Sequence, residues 1–133
     1  MIVLDTHAWL WWGSDPNRIP ARARRMIKNA IEAGDPIHIS SISTWEVAML
    51  VEHGRLELTL DVAEWIAQAE AVPFFQFVPV DNRIALRAVG LPGFPHRDPA
   101  DRLIVATALA LGATLVTGDQ RLRRYRPVKT VWK

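Results

Sequence analysis

Short apolar runs alternate with helical stretches along this chain, and that alternation limits its fold more than any other property. Ile2 to Asp5, Ile37 to Ser40, Phe77 to Val80 and Thr114 to Thr117 are compact and rich in β-branched or aromatic residues, as buried strands are. Val128 to Val131 reads as a final edge strand. The helical stretches carry their own start and stop signals. Thr6 to Trp12 is halted by Gly13-Ser14-Asp15-Pro16, and Pro20 to Ala33 is closed by Gly34. Ser43-Thr44-Trp45-Glu46 matches a capping box opening a helix to His53, and Asp61-Val62-Ala63-Glu64 opens another that ends before Pro73. Asp81 starts a short helix ending near Gly90. Asp98, with Pro99 in the first helical position, starts one running to Leu111 before Gly112, and Gln120 to Tyr125 is the last. Strands that alternate with helices predict an α/β fold with a mostly parallel sheet of about five short strands. In such folds ligands bind beyond the carboxyl ends of the strands.

The 133 residues suffice for one domain, 1–133, with a sizeable core. There is no Cys, which excludes disulfides and thiolate zinc sites and fits an intracellular, cytoplasmic protein. His7, His38, His53 and His96 show no His-x-x-x-His spacing, so a zinc hydrolase site is not expected. No apolar run approaches the roughly 20 residues of a membrane span, and Asp5 would interrupt a signal segment. Net charge is only +2, but 13 of the 16 basic residues are Arg, clustered in Arg18 to Lys28 and Arg121 to Lys129. Arginine contacts phosphate bidentately, so a polyanionic substrate suits these segments. Basic helices are also commonly just solvated surface.

The acids fall at the joints. Asp5 ends the first strand, Glu46 lies at the start of a helix, Asp98 and Asp101 open another, and Asp119 follows the fourth strand. Taken singly, each has an ordinary structural role: Asp5 and Asp98 as N-caps, Glu46 and Asp101 as capping-box acids, Asp119 as a turn residue. Taken together, they would converge at one edge of a parallel sheet and repel one another. A hard divalent cation is the natural neutraliser of such a set. Glu52, Glu57, Glu64, Glu70 and Asp81 lack this coupling of strand end and second acid.

The ordered set Leu4-Asp5-Thr6-His7, Ser43-Thr44-Trp45-Glu46, His96 to Ala106 with its Asp98-Pro99-Ala100-Asp101, and Leu115-Val116-Thr117-Gly118-Asp119 resembles the PIN-domain family. More narrowly it resembles the VapC-type toxin ribonucleases of bacterial toxin–antitoxin pairs. The resemblance spans essentially the whole chain. It implies an α/β/α three-layer sandwich and an acidic pocket for Mg²⁺ or Mn²⁺, with Asp5, Glu46, Asp101 and Asp119 matching the family's metal-binding acids and Asp98 an additional one. Thr6 and Thr117 stand beside matched acids and would offer hydroxyls to water or to the scissile phosphate. His7 stands where many relatives have Asn or Ser. The implied activity is hydrolysis of RNA phosphodiester bonds.

Six tryptophans are many for this length, and Trp9, Trp11 and Trp12 share one short helix. Neighbours about 100° apart cannot all face one way, so some must be exposed or covered by another chain. The resemblance implies a homodimer masked by a VapB-type antitoxin, alone or as a hetero-oligomer, along a groove formed by Trp9, Trp12, Trp45 and Met49. Two rival readings keep the fold: a nuclease-inactive RNA- or protein-binding module, and a PIN nuclease of housekeeping RNA processing. A phosphohydrolase-type protein would carry Asp-x-Asp after its first strand, where this chain has Asp5-Thr6-His7.

Overall fold

The fold is described from a computed structural model and covers residues 1–95 and 97–133; His96, in the third motif, lies outside the described residues. In chain order the elements are β1 (Ile2–Leu4), α1 (Thr6–Ser14), a 3₁₀ turn at Pro16–Arg18, α2 (Ala21–Glu32), β2 (Ile37–Ser40), α3 (Ser41–Glu52), α4 (Val62–Glu70), β3 (Phe75–Val78), α5 (Asn82–Val89), α6 (Pro99–Leu111), β4 (Thr114–Val116), α7 (Gln120–Arg124) and β5 (Thr130–Val131). All strand pairs are parallel, in the order β3-β2-β1-β4-β5. The expected α/β architecture is therefore present.

Side chains alternate across the sheet and divide the core in two. Ile2, Leu4, Ile37, Ile39 and Val116 face a cluster with Trp9, Ile19, Ile27 and Val47 from α1, the 3₁₀ turn's end, α2 and α3. Val3 and Leu115 face the other layer, against Ile104, Val105 and Ala108 of α6 and Leu122 of α7. A third small cluster joins Ile84 and Ala88 of α5 to Ala106 of α6. With both faces covered, the strands read as continuous apolar runs instead of alternating ones.

Four elements depart from the sequence expectations by two residues or more. α1 runs two residues further, through Gly13 to Ser14, whose hydroxyl bonds Leu10 O at 2.6 Å. α3 begins at Ser41, with Ser40 as N-cap accepting from Ile42 N at 3.2 Å, so the Ser43–Glu46 capping box does not form. β2 passes directly into α3, and the earlier of two cap-competent serines takes the position. β3 starts at Phe75, two residues early, because Phe75 and Phe77 pair with Ile37 and Ile39 and Pro79 has no N–H to continue the ladder. β5 retains only Thr130 and Val131 of the expected edge strand. Among the described residues no helix is long and apolar enough to cross a membrane.

Trp9 is the largest fully buried side chain, 5.0 Å from the Trp65 ring and 5.4 Å from Phe77. Trp9→Ala should cost about 3–5 kcal/mol of stability in chemical denaturation. Trp45→Ala, at an exposed position, should stay within about 0.5 kcal/mol.

Candidate active site

The strand order reverses direction between β1 and β4, and the chain leaves both at the same sheet edge, where α/β folds place their ligand crevice. Leu4 pairs with Val116, so the next residues, Asp5 and Thr117, stand side by side past the ladder. Asp5 N donates to Val116 O at 3.1 Å and Thr117 N to Val131 O at 3.2 Å, fixing both backbones. The Thr117 hydroxyl donates a short hydrogen bond to Asp5 Oδ2, while Ala8 N donates to Oδ1 at 2.8 Å. Asp5 thus caps α1 and is held from both sides, at 7% exposure.

A second linkage brings in α3. Thr6 Oγ1 lies 2.5 Å from Glu46 Oε1 and 2.8 Å from Ser43 Oγ. The single Thr6 proton goes to the carboxylate, so Ser43 donates to Thr6. Ser43 is fully buried. The shift in helix start explains this: Glu46 lies more than a turn inside α3 and reaches across to α1 instead of folding back on its own N-terminus. Ser43 is a site-positioning residue that the capping reading had assigned elsewhere. Thr6 and Thr117 both spend their protons on carboxylates, so they position acids.

α6 delivers the next pair. Asp98 caps the helix, accepting from Ala100 N at 2.9 Å and Asp101 N at 3.4 Å, which places Asp101 in the first turn. Asp119 caps α7, accepting from Arg121 N at 2.8 Å, and its own N–H reaches Thr117 Oγ1 at 3.1 Å. The Arg121 guanidinium stands 3.5 Å from Asp119 Oδ2 in a loose, largely exposed pair.

The five expected acids, Asp5, Glu46, Asp98, Asp101 and Asp119, all line one cleft of 480 Å³. Their proximity shows in their proton affinities. Burial pushes the Asp101 carboxyl up to about 7, and the charges of Asp98, Asp119, Glu46 and Asp5 add to the rise. Burial also raises Asp5, opposed by the Thr117 and Ala8 hydrogen bonds and the nearby His7. Glu46 is raised by burial and by Asp98, and lowered by Thr6. Among the described residues no three Asp, Glu or His side chains are gathered closely enough to grip an ion by themselves. Mg²⁺ does not require that: it keeps several waters and binds through one or two carboxylates plus substrate phosphate. A cleft of hard oxygen donors that are costly to ionise together fits such a hydrated ion.

The four aromatic-groove residues do not form one surface. Trp9 is core, Trp12 packs half-buried against the same cluster, and Met49 is half-buried on α3. Trp45 is 56% exposed and borders an adjoining apolar groove with Ile42, Pro79 and Val80, which shares Glu46 and Asp98 with the acidic cleft. Of the basic segments, Arg121 lines the acidic cleft, while Arg18 stacks 4.3 Å over Trp11. Sequence reasoning missed Trp132 as a cleft residue. Gly118 was its signal: a Cβ there would come within 2.8 Å of the Trp132 ring.

The comparisons bear on the family and the fold. The family model described as PIN domain matches residues 2–127. The chain is 42% identical to Ribonuclease VapC22 of Mycobacterium tuberculosis (strain ATCC 25618 / H37Rv), with 98% of each chain covered. Among solved structures it resembles VapBC2 from Rickettsia felis bound to a promoter DNA fragment, at TM-score 0.72, 17% identity and 98% coverage of both chains. It also resembles FitAcB from Neisseria gonorrhoeae, at TM-score 0.65 and 22% identity, covering 98% of this chain and 96% of that one. These distant structures share the fold.

A carboxyl whose folded pKa lies above its unfolded value subtracts stability as it ionises. For Asp101 the loss is absent below the ordinary value of 3.8, grows as pH rises, and is complete above about 7. In EDTA, the melting temperature should therefore fall between about pH 4 and pH 7, the window between the two pKa values. Asp101→Asn should melt higher than wild type at the upper end and flatten the profile, as followed by circular dichroism.

Proposed function

The chain belongs to the PIN domain family, and we propose that it is a divalent-metal-dependent endoribonuclease, the toxin of a toxin–antitoxin pair. The observation that carries this reading is the convergence of five acids in one cleft, with Asp101 raised to about 7. The 42% identity to a named VapC ribonuclease supports the same activity.

In this reading Asp5, Glu46, Asp101 and Asp119 hold Mg²⁺ or Mn²⁺, with Asp98 as auxiliary acid. The ion would supply Lewis acidity to the scissile phosphate and lower the pKa of water. The chain's own groups set the geometry. Thr117 and Ala8 N orient the Asp5 carboxylate, and the Ser43–Thr6 relay orients Glu46. Asp119 is aimed by the α7 amide, and Arg121 beside it is free to turn from a loose pairing toward phosphate. Water adds its oxygen to phosphorus and the P–O3′ bond breaks, leaving a 5′-phosphate and a 3′-hydroxyl.

The structural relatives named as VapBC complexes support a VapB-type antitoxin as partner, with the exposed Trp45 and half-buried Met49 on α3 in its groove or at a homodimer contact. A cytoplasmic location follows from this role. A nuclease-inactive module and a housekeeping RNA-processing enzyme are the competing readings, and the first makes a different experimental prediction.

Purified wild type, Asp5→Asn and Asp101→Asn are compared on a mixed pool of structured RNA in Mg²⁺, Mn²⁺ and EDTA. Wild type should cut at discrete sites only with metal. Each variant, still folded by thermal melting, should lose about a hundredfold or more in rate, the scale of several kcal/mol of charge stabilisation. A binding module would retain the RNA uncut under every condition.

A further inference from the structure

α5 and α6 each lend an arginine from near the N-terminus to the last carbonyls of the other. Arg83 of α5 donates to Ala110 O, close to the end of α6, at 3.2 Å. Arg102 of α6 donates to Ala88 O at 2.9 Å and to Val89 O at 3.5 Å, the last two residues of α5. The final carbonyls of a helix lack intrahelical partners, and that end of the helix dipole favours a cation. The two helices are thus clasped at both ends. Between the clasps their buried contact is small, with Ile84 and Ala88 against Ala106. Such short ridges resist sliding and rotation weakly, so the directional bonds at the ends carry much of the register.

The two clasps differ in what they adjoin. The Arg83 bond is exposed and lies at the far end of α6 from the acids. Arg102 follows Asp101 directly, about 100° away around the helix, so fixing the direction of one fixes that of the other. The Arg102 guanidinium also lies 5.1 Å over the Phe94 ring, which meets Tyr125 edge-on at 5.1 Å. Tyr125 is buried, and its hydroxyl donates to Pro92 O at 2.7 Å. The segment leading into Asp98 is therefore held from α6 and from the end of α7 together.

We infer that Arg102 is a positioning residue for the acids: by bonding the α5 carbonyls and stacking on Phe94, it sets how Asp98 and Asp101 face Asp5 and Asp119 across the cleft. The inference rests on the nuclease reading, in which these acids hold a divalent ion. Its sign separates it from a simple charge effect. A cation close to the acids opposes metal binding, so loss of the Arg102 charge would by itself tighten binding. Loss of the clasp acts the other way, because groups that orient metal ligands are worth roughly ten- to a hundredfold in affinity.

The test measures Mn²⁺ binding by loss of the free-ion electron paramagnetic resonance signal, well below each protein's melting temperature. It compares wild type, Arg102→Met, Arg102→Lys and Arg83→Met, with folding and stability followed by circular dichroism. Arg102→Met should bind roughly tenfold more weakly than wild type, despite having lost a positive charge. Arg102→Lys keeps the charge and a donor but lacks the planar face for Phe94. It should fall between the two, and it carries the test alone where Arg102→Met does not fold. Arg83→Met, the same change at the far clasp, should keep wild-type affinity whatever it costs in stability. Folded Arg102 variants that bind Mn²⁺ as tightly as wild type, or more tightly, overturn the positioning role and leave the nuclease reading standing. Equal weakening in Arg83→Met overturns it too, since general loosening of the helix pair would then be the cause. A wild type that binds no Mn²⁺ removes the metal reading, and the positioning role with it.

Discussion

The Asp5 carboxylate is nearly sealed from solvent at the centre of the sheet's edge, and burying a charge there carries a desolvation cost that nearby groups must offset. Thr117 and the Ala8 amide supply two hydrogen bonds, yet burial still dominates and Asp5 holds its proton more tightly than usual. Much of the surrounding structure follows from satisfying this group. α1 must start at Thr6 for Ala8 N to point at Asp5. β4 must run in register with β1 for Thr117 to stand beside it, and Asp119 is then placed by its own bond to Thr117. One carboxylate thus couples a helix start, a strand register and a turn.

Glu46 is held by a different means with the same outcome. It is anchored through Thr6, the residue next to Asp5, so β1's end carries both linkages. Loss of the Thr6 hydroxyl would free Glu46 and leave Ser43, fully buried, without its acceptor. Such an unsatisfied group costs more than the hydrogen bond itself contributes. The threonines beside the acids are therefore positioning elements that hold the carboxylates toward the cleft.

Most of this could be read before any coordinates. Short apolar runs, all but the last followed by a capped helix, already point to a parallel sheet, and acids at the joints to a shared edge. What escaped were features set by tertiary pairing. Ser43 looks like an N-cap because Ser-x-x-Glu is a local signature, but Ser40 lies at the end of β2 and captures the helix start first. Phe75 looks like loop after Pro73 until Ile37 supplies its partner. Trp9 and Trp12 were read as one groove with Trp45, yet periodicity on a short helix tells which residues share a face and not which face meets the sheet. Trp132 lies 14 residues beyond Gly118 in sequence, and no spacing rule joins a glycine to the distant ring that needs its missing side chain.

The acids are close enough to raise one another's proton affinity but are not drawn into a three-ligand grip. That separation has a physical use. Carboxylates packed at ligand distance would protonate or bind an ion so firmly that substrate phosphate would gain no place. In the proposed reading, acids held apart by separate scaffolds (β1, α3, α6 and the β4–α7 turn) would leave part of an ion's coordination to water and substrate phosphate. The cost is borne by the metal-free fold, which keeps several acids in partial burial and gives up stability as pH rises. If the proposed reading holds, a site arranged in this way would bind its ion and its anionic substrate most strongly together, because the ion's charge would offset the repulsion between the acids and the phosphate.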